Sequence, residues 1–125
     1  MEYTIDYITD KKIVYVKLTG KINYQIAKQY STEALKRARK NNCRSFIFDH
    51  SGTTVEDKIN NFHVAGEELQ QFGFLNTDRI AIVVASIDEN SQLIKQEKQN
   101  SRLSVLRYFP KNKIQIAYDW LMEIE

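Results

Sequence analysis

Arg44-Ser45-Phe46-Ile47-Phe48-Asp49-His50-Ser51-Gly52 is the stretch on which the fold turns. From Ser45 to Asp49 it is a short apolar run without alternation. That pattern suits a strand covered on at least one face and hemmed by neighbours. The strand then leaves the core through an acid and a small polar turn. A hairpin and a helix come before it and a helix–strand rhythm follows. One parallel strand with helical crossovers on either side would join these parts in a single sheet.

Upstream, Tyr3, Ile5 and Tyr7 alternate with polar residues, and Thr9-Asp10-Lys11-Lys12 is a polar break. Ile13 to Leu18 is β-branched and aromatic, with Val14, Val16 and Leu18 on one side. Two such runs across a short break predict a β-hairpin. Gly20 is expected to relieve a tight turn after the second run. Asn23 is a plausible N-cap for a helix between Tyr24 and Lys40. Ala27, Tyr30, Ala34 and Ala38 recur there at helical spacing, flanked by Ile26 and Leu35, and form one buried stripe. Lys36, Arg37, Arg39 and Lys40 complement the negative end of the helix dipole, and Asn41-Asn42 ends the helix.

Downstream, a second helix is expected from about Glu56 to Phe72, with Gly73 as its left-handed cap and Phe74 closing a contact beyond it. Residues 79–85 predict a buried strand, and a polar helix should run from Asp88 or Glu89 to about Leu103. Residues 105–109 predict an edge strand ending at Pro110, a residue tolerated at an edge but not at a sheet centre. Ile116/Ala117, Trp120/Leu121 and Ile124 repeat at helical spacing, so a closing helix should bring Trp120 to the core. The expected order is β-β-α-β-α-β-α-β-α. That is an α/β fold: a mixed sheet opening with a β-hairpin, then alternating helix–strand units and a C-terminal helix.

At 125 residues, residues 1–125 are most simply one domain. The hydrophobic share of 42% and charged share of 27% are those of an ordinary globular chain. Lone Cys43 cannot form an internal disulfide and matches no metal spacing. A reducing, cytoplasmic setting is therefore expected. The start has neither a basic leader nor an apolar stretch. The longest apolar run, Ile80 to Ala85, is far short of a membrane span. A net charge of +2 is too near balance to imply a nucleic-acid partner.

Val14-Tyr15-Val16-Lys17-Leu18-Thr19-Gly20, then a helix, then Phe46-Ile47-Phe48-Asp49-His50-Ser51 resembles the start of a STAS domain. Ile80 to Ala85, Arg107-Tyr108-Phe109 and the closing Ala117-Tyr118-Asp119-Trp120-Leu121 are more like the SpoIIAA-like branch, which combines STAS-like and CRAL-TRIO-like features. The resemblance covers nearly the whole chain. It implies a non-enzymatic regulatory or interaction domain, with a protein partner or self-association. The CRAL-TRIO likeness implies, as the alternative, a carrier of a small apolar ligand. One departure matters: where the family has a phosphorylatable Asp-Ser-Ser-Gly step, this chain has Asp57-Lys58-Ile59-Asn60, so that switch is not carried over.

Asp49-His50-Ser51 holds the residue types of a hydrolase triad, but consecutive strand residues point to opposite faces. No Gly-x-Ser-x-Gly elbow is present either. The simpler reading has Asp49 and Ser51 cap backbone groups where the strand ends. His50 and His63 with Asp49 or Glu67 lack a recognisable zinc spacing, so no metal and no cofactor is expected. Cys43 reads as a half-buried filler. The group Lys36, Arg37, Arg39, Lys40 and Arg44 could meet phosphate or an acidic partner, though helix-end complementarity explains most of it. The best expectation for a contact site is the segment Asp49, His50, Ser51, Thr53 and Thr54. It is read as a loop at the carboxyl end of the sheet, where open α/β folds host ligands. On that reading, Asp49→Ala with Thr54→Ala should leave folding intact and weaken a partner.

Overall fold

The computed structural model describes residues 2–22, 24–55, 73–75, 77–84 and 106–122. They form β1 (Glu2–Ile8), β2 (Ile13–Ile22), α1 (Tyr24–Lys40), β3 (Ser45–Val55), β4 (Arg79–Val84), β5 (Leu106–Pro110), a 3₁₀ turn (Lys111–Lys113) and α2 (Ile114–Met122). The strands make one five-stranded sheet in the order β1-β2-β3-β4-β5. β1 and β2 pair antiparallel, and every later pair is parallel. This is the mixed α/β sheet the sequence predicts, with β5 at its edge among the described strands. Asn23, the helices expected over 56–72 and 88–103, and Ile124 lie outside the described residues. Among the described residues no helix is long and apolar enough to cross a membrane.

Each face of the sheet carries its own core. Val14, Val16, Leu18, Phe46, Phe48, Ile80 and Ile82 meet Ala27, Tyr30, Ala34 and Ala38 of α1. The alanines are fully buried, so small side chains let α1 lie close against the strands. On the other face, Ile13, Ile47, Ala81, Val83 and Phe109 meet Ala117, Trp120 and Leu121 of α2. Trp120 packs 5.7 Å from the Phe109 ring and beneath the Arg79 guanidinium at 4.3 Å. Ile116, expected on the buried stripe, is half exposed; the inward arc of this short helix is Ala117, Trp120 and Leu121.

α1 ends in a Schellman motif. Asn42 takes a left-handed φ of +52°, the Cys43 amide donates to the Ala38 carbonyl at 2.8 Å, and the Asn42 amide donates to that of Arg39 at 3.3 Å. Cys43 is fully buried rather than half-buried, its thiol set against the carbonyls of Lys12 and Ser45. Gly73 has a φ of +111°, and Phe74 beyond it packs edge-on to Phe46 at 5.1 Å. Gly20 is not at a turn after β2: it lies within the strand at a φ of +90° and pairs with Thr53.

Arg39 does not simply decorate the helix end. Its guanidinium grips both oxygens of Asp78 at 3.0 and 2.7 Å, and Asp78 is wholly buried. The same carboxylate accepts the Leu75 amide at 2.8 Å, and Arg39 also donates to the Cys43 carbonyl. The end of α1 is thereby fixed to the turn that leads into β4. Asp78→Ala should cost about 2–3 kcal/mol, because it leaves the Leu75 amide unanswered and removes both hydrogen bonds from the half-exposed Arg39. Arg39→Lys should cost about 1–2 kcal/mol, because an ammonium cannot make the two-pronged contact. Urea unfolding of both variants checks the size and the order of the two losses.

Candidate functional site

β3 does not stop at Asp49. It runs on through Ser51, Gly52, Thr53, Thr54 and Val55, pairing with Thr19 to Ile22 of β2. Residues 51–55 are therefore strand and not the expected loop. The pairing shifts register on the way: Lys17 faces Asp49, but Thr19 faces Gly52. β3 thus holds one extra residue at His50–Ser51, a β-bulge that twists the strand and re-aims its side chains. Gly52 fits this bulge because a Cβ there would sit 3.2 Å from the Leu18 carbonyl oxygen.

Asp49 and His50 lie on opposite faces, as neighbours along a strand do. Asp49 is 1% exposed on the α2 side. Its Oδ1 accepts the Ser51 amide at 3.0 Å and the Ser51 hydroxyl at 2.6 Å. Its Oδ2 accepts the Tyr15 hydroxyl and the Lys111 ammonium, both at 2.5 Å. Lys111 stands where β5 gives way to the 3₁₀ turn and reaches back across β4. One buried carboxylate thus joins β2, β3 and the end of β5. Asp49 does cap a backbone group, the Ser51 amide, but within the strand and not at its end, and the Ser51 hydroxyl is bonded to Asp49 and not to a backbone group. The expectation that Asp49→Ala leaves folding intact does not hold for a buried group with these partners. Sequence reasoning missed both Tyr15 and Lys111; the Lys111–Asp49 pair spans 62 residues.

Electrostatics follow from this geometry. Burial pushes the Asp49 carboxyl up, but the hydrogen bonds from Lys111, Ser51 and Tyr15 outweigh it and hold the group at about 2. Burial, together with the Asp49 charge, drives the Tyr15 phenol well above its ordinary range. On the α1 side, His50 lies 3.4 Å from the Tyr30 hydroxyl. Burial lowers its imidazole to about 4, against the opposing pull of the Asp49 charge. Asp49, His50 and Ser51 therefore do not converge as a triad. Among the described residues no three metal-ligating side chains gather. His63, Glu67 and the Asp57–Asn60 stretch lie outside the described residues, and Thr53 and Thr54 are placed by their backbone pairing with Gly20 and Lys21.

Two acid transitions should follow. His50 has a folded value near 4 against an ordinary 6.5. Between these values the unfolded chain binds the extra proton, so stability falls as pH drops from about 6.5 to 4. Asp49 has a folded value near 2 against 3.8, so its contribution is complete above pH 3.8 and is lost on the way to 2. Urea unfolding at stepped pH should show His50→Gln flattening the first slope and Asp49→Asn the second. Asp49→Asn should also cost about 2–4 kcal/mol at pH 7, since it removes the charge that Lys111 and Tyr15 answer.

No protein-family model matches the chain, and no curated protein sequence is similar to it. Among solved structures, the anti-sigma factor antagonist SpoIIAA in its unphosphorylated form matches with a TM-score of 0.55 at 11% sequence identity. The match covers 98% of this chain and 100% of that one. At so low an identity the likeness is one of fold. The five-stranded mixed sheet described above is the STAS-type α/β fold of SpoIIAA.

Proposed function

We infer that residues 1–125 form one non-enzymatic regulatory or protein-interaction domain, whose contact segment is the carboxyl edge of the sheet at Asp49, His50, Ser51, Thr53 and Thr54. The observation that carries this reading is the full-length fold likeness to SpoIIAA, a protein whose described role is to antagonise an anti-sigma factor. The site adds a chemical argument to that of the fold. A general acid or base works best with a pKa near the operating pH. Asp49 at about 2 and His50 at about 4 are both far from neutrality and face different sides of the sheet. Asp49 is committed to Tyr15, Ser51 and Lys111. Its part is to hold the edge in shape, and the segment from Ser51 to Thr54 meets the partner, either another protein or a second copy.

The alternative, a carrier of a small apolar ligand, needs space between helix and sheet. Fully buried Ala27, Ala34 and Ala38 against Val14, Val16 and Phe46 argue for a filled interface under α1. The test is quantitative capture from a cell extract by immobilised protein, wild type against Thr53→Arg with Thr54→Arg. The account expects a saturable protein partner whose recovery falls about tenfold in the variant, the scale of a loss at an interface centre, with thermal unfolding unchanged. Equal recovery would remove this segment from the interface. A small-molecule adduct in native mass spectra, with no saturable partner, would favour the carrier.

A further inference from the structure

β1 is an end strand of the sheet among the described strands. An end strand offers a row of unpaired amide and carbonyl groups, and proteins usually blunt it with lysine, proline or a bulge. β1 has none of these. It pairs with β2 residue by residue, from Glu2 against Thr19 to Ile8 against Ile13, without interruption. Between Tyr3 and Ile8 its one charge is Asp6, which is exposed together with Thr4.

Beside this strand, on the α1 face, runs an open groove lined by Tyr3, Ile5, Glu33, Lys36, Arg37 and Lys40. Tyr3 and Ile5 are half-buried and supply its apolar wall. Glu33 lies beside the Tyr3 hydroxyl. Lys36, Arg37 and Lys40 are all exposed; none of the three has an ion pair among the described residues. The groove is therefore an apolar wall with a rim of three cations against one carboxylate. It is open to solvent, which suits a chain laid along it better than a molecule enclosed. A strand added to β1 would point every second side chain to the α1 side, beside Tyr3 and Ile5. A second copy is the poorer occupant. Antiparallel pairing of β1 with its own copy, about a two-fold axis normal to the sheet, keeps both α1 helices on one face and sets their cations against each other.

We propose that β1 and the groove beside α1 bind an extended segment of another protein by strand addition, with acidic side chains of that segment meeting Lys36, Arg37 and Lys40. This rests on reading the chain as an interaction domain, and it locates a second surface on the β1 side of the sheet. Backbone pairing supplies the affinity in such complexes, and alternate side chains supply the choice of partner.

The test uses a capped Glu-Val-Glu-Val-Glu-Val peptide, its Lys-for-Glu counterpart, and two forms methylated on alternate backbone nitrogens. Nitrogen-15 NMR of the full chain follows binding. The acidic peptide should shift and protect amides of Tyr3 to Ile8, and one methylated form should fail while the other binds. Lys36→Glu with Lys40→Glu should weaken binding about tenfold, as reversal of rim charges does; the paired Gln variants serve if the Glu pair melts early. Equal binding of the Lys peptide, shifts confined to other strands, or no binding at ~1 mM would each overturn the proposal. A natural partner captured equally by wild type and the Lys36→Glu, Lys40→Glu variant would overturn it too, while leaving the interaction-domain reading in place.

Discussion

A carboxylate that is 1% exposed must be answered where it lies, and Asp49 sets that condition for one end of this sheet. Removing a charge from water costs several kcal/mol unless nearby donors compensate. Here the donors come from β2, from β3 itself and from the turn after β5. Strand pairing alone would align β3 with its neighbours. The acid adds a demand that the end of β5 approach as well, because Lys111 supplies its cation among the described residues. The bulge at His50–Ser51 is part of the same arrangement: it brings the Ser51 amide and hydroxyl back onto Oδ1.

A second buried acid does comparable work at the other end of the strands. Asp78 holds Arg39 and the Leu75 amide just before β4 begins. The amide of Arg79 meets the Arg44 carbonyl at 2.8 Å, so β3 and β4 start together. The apolar cores on the two faces provide most of the driving force, roughly 25 cal/mol per Å² of surface removed from water. The two acids choose among the ways those faces could be covered. Such specificity comes at a stability cost, and here it is directed at the two ends of the sheet.

Much of this fold was legible in the residues, because packing writes periodic patterns. The alternation of Tyr3, Ile5 and Tyr7 against Val14, Val16 and Leu18 gave the hairpin, and Ala27, Tyr30, Ala34 and Ala38 gave the stripe of α1. The run at 79–84 and the Ala117–Trp120–Leu121 arc read equally well. Ser51-Gly52-Thr53-Thr54 misled because its small polar residues are those of turns. Pairing with Thr19 to Ile22 overrides that preference, and the β-branched Thr53, Thr54 and Val55 carry the only local hint. Lys111 and Asp78 left no local signal, since neither follows a period and both act on residues far along the chain. The segment Asp49–Thr54 was found as a place, but not as a strand with a bulge and an ionised, buried anchor.

The central claim is that Asp49 is a structural anion rather than a chemical group held ready for use. Carbon-13 NMR titration of its side-chain carboxyl tests this most directly. The account predicts a midpoint near 2, with Tyr15 and Lys111 resonances moving in step. A midpoint at or above the ordinary 3.8 would contradict it. Such a result would mean that burial dominates and that the three donors do not compensate it.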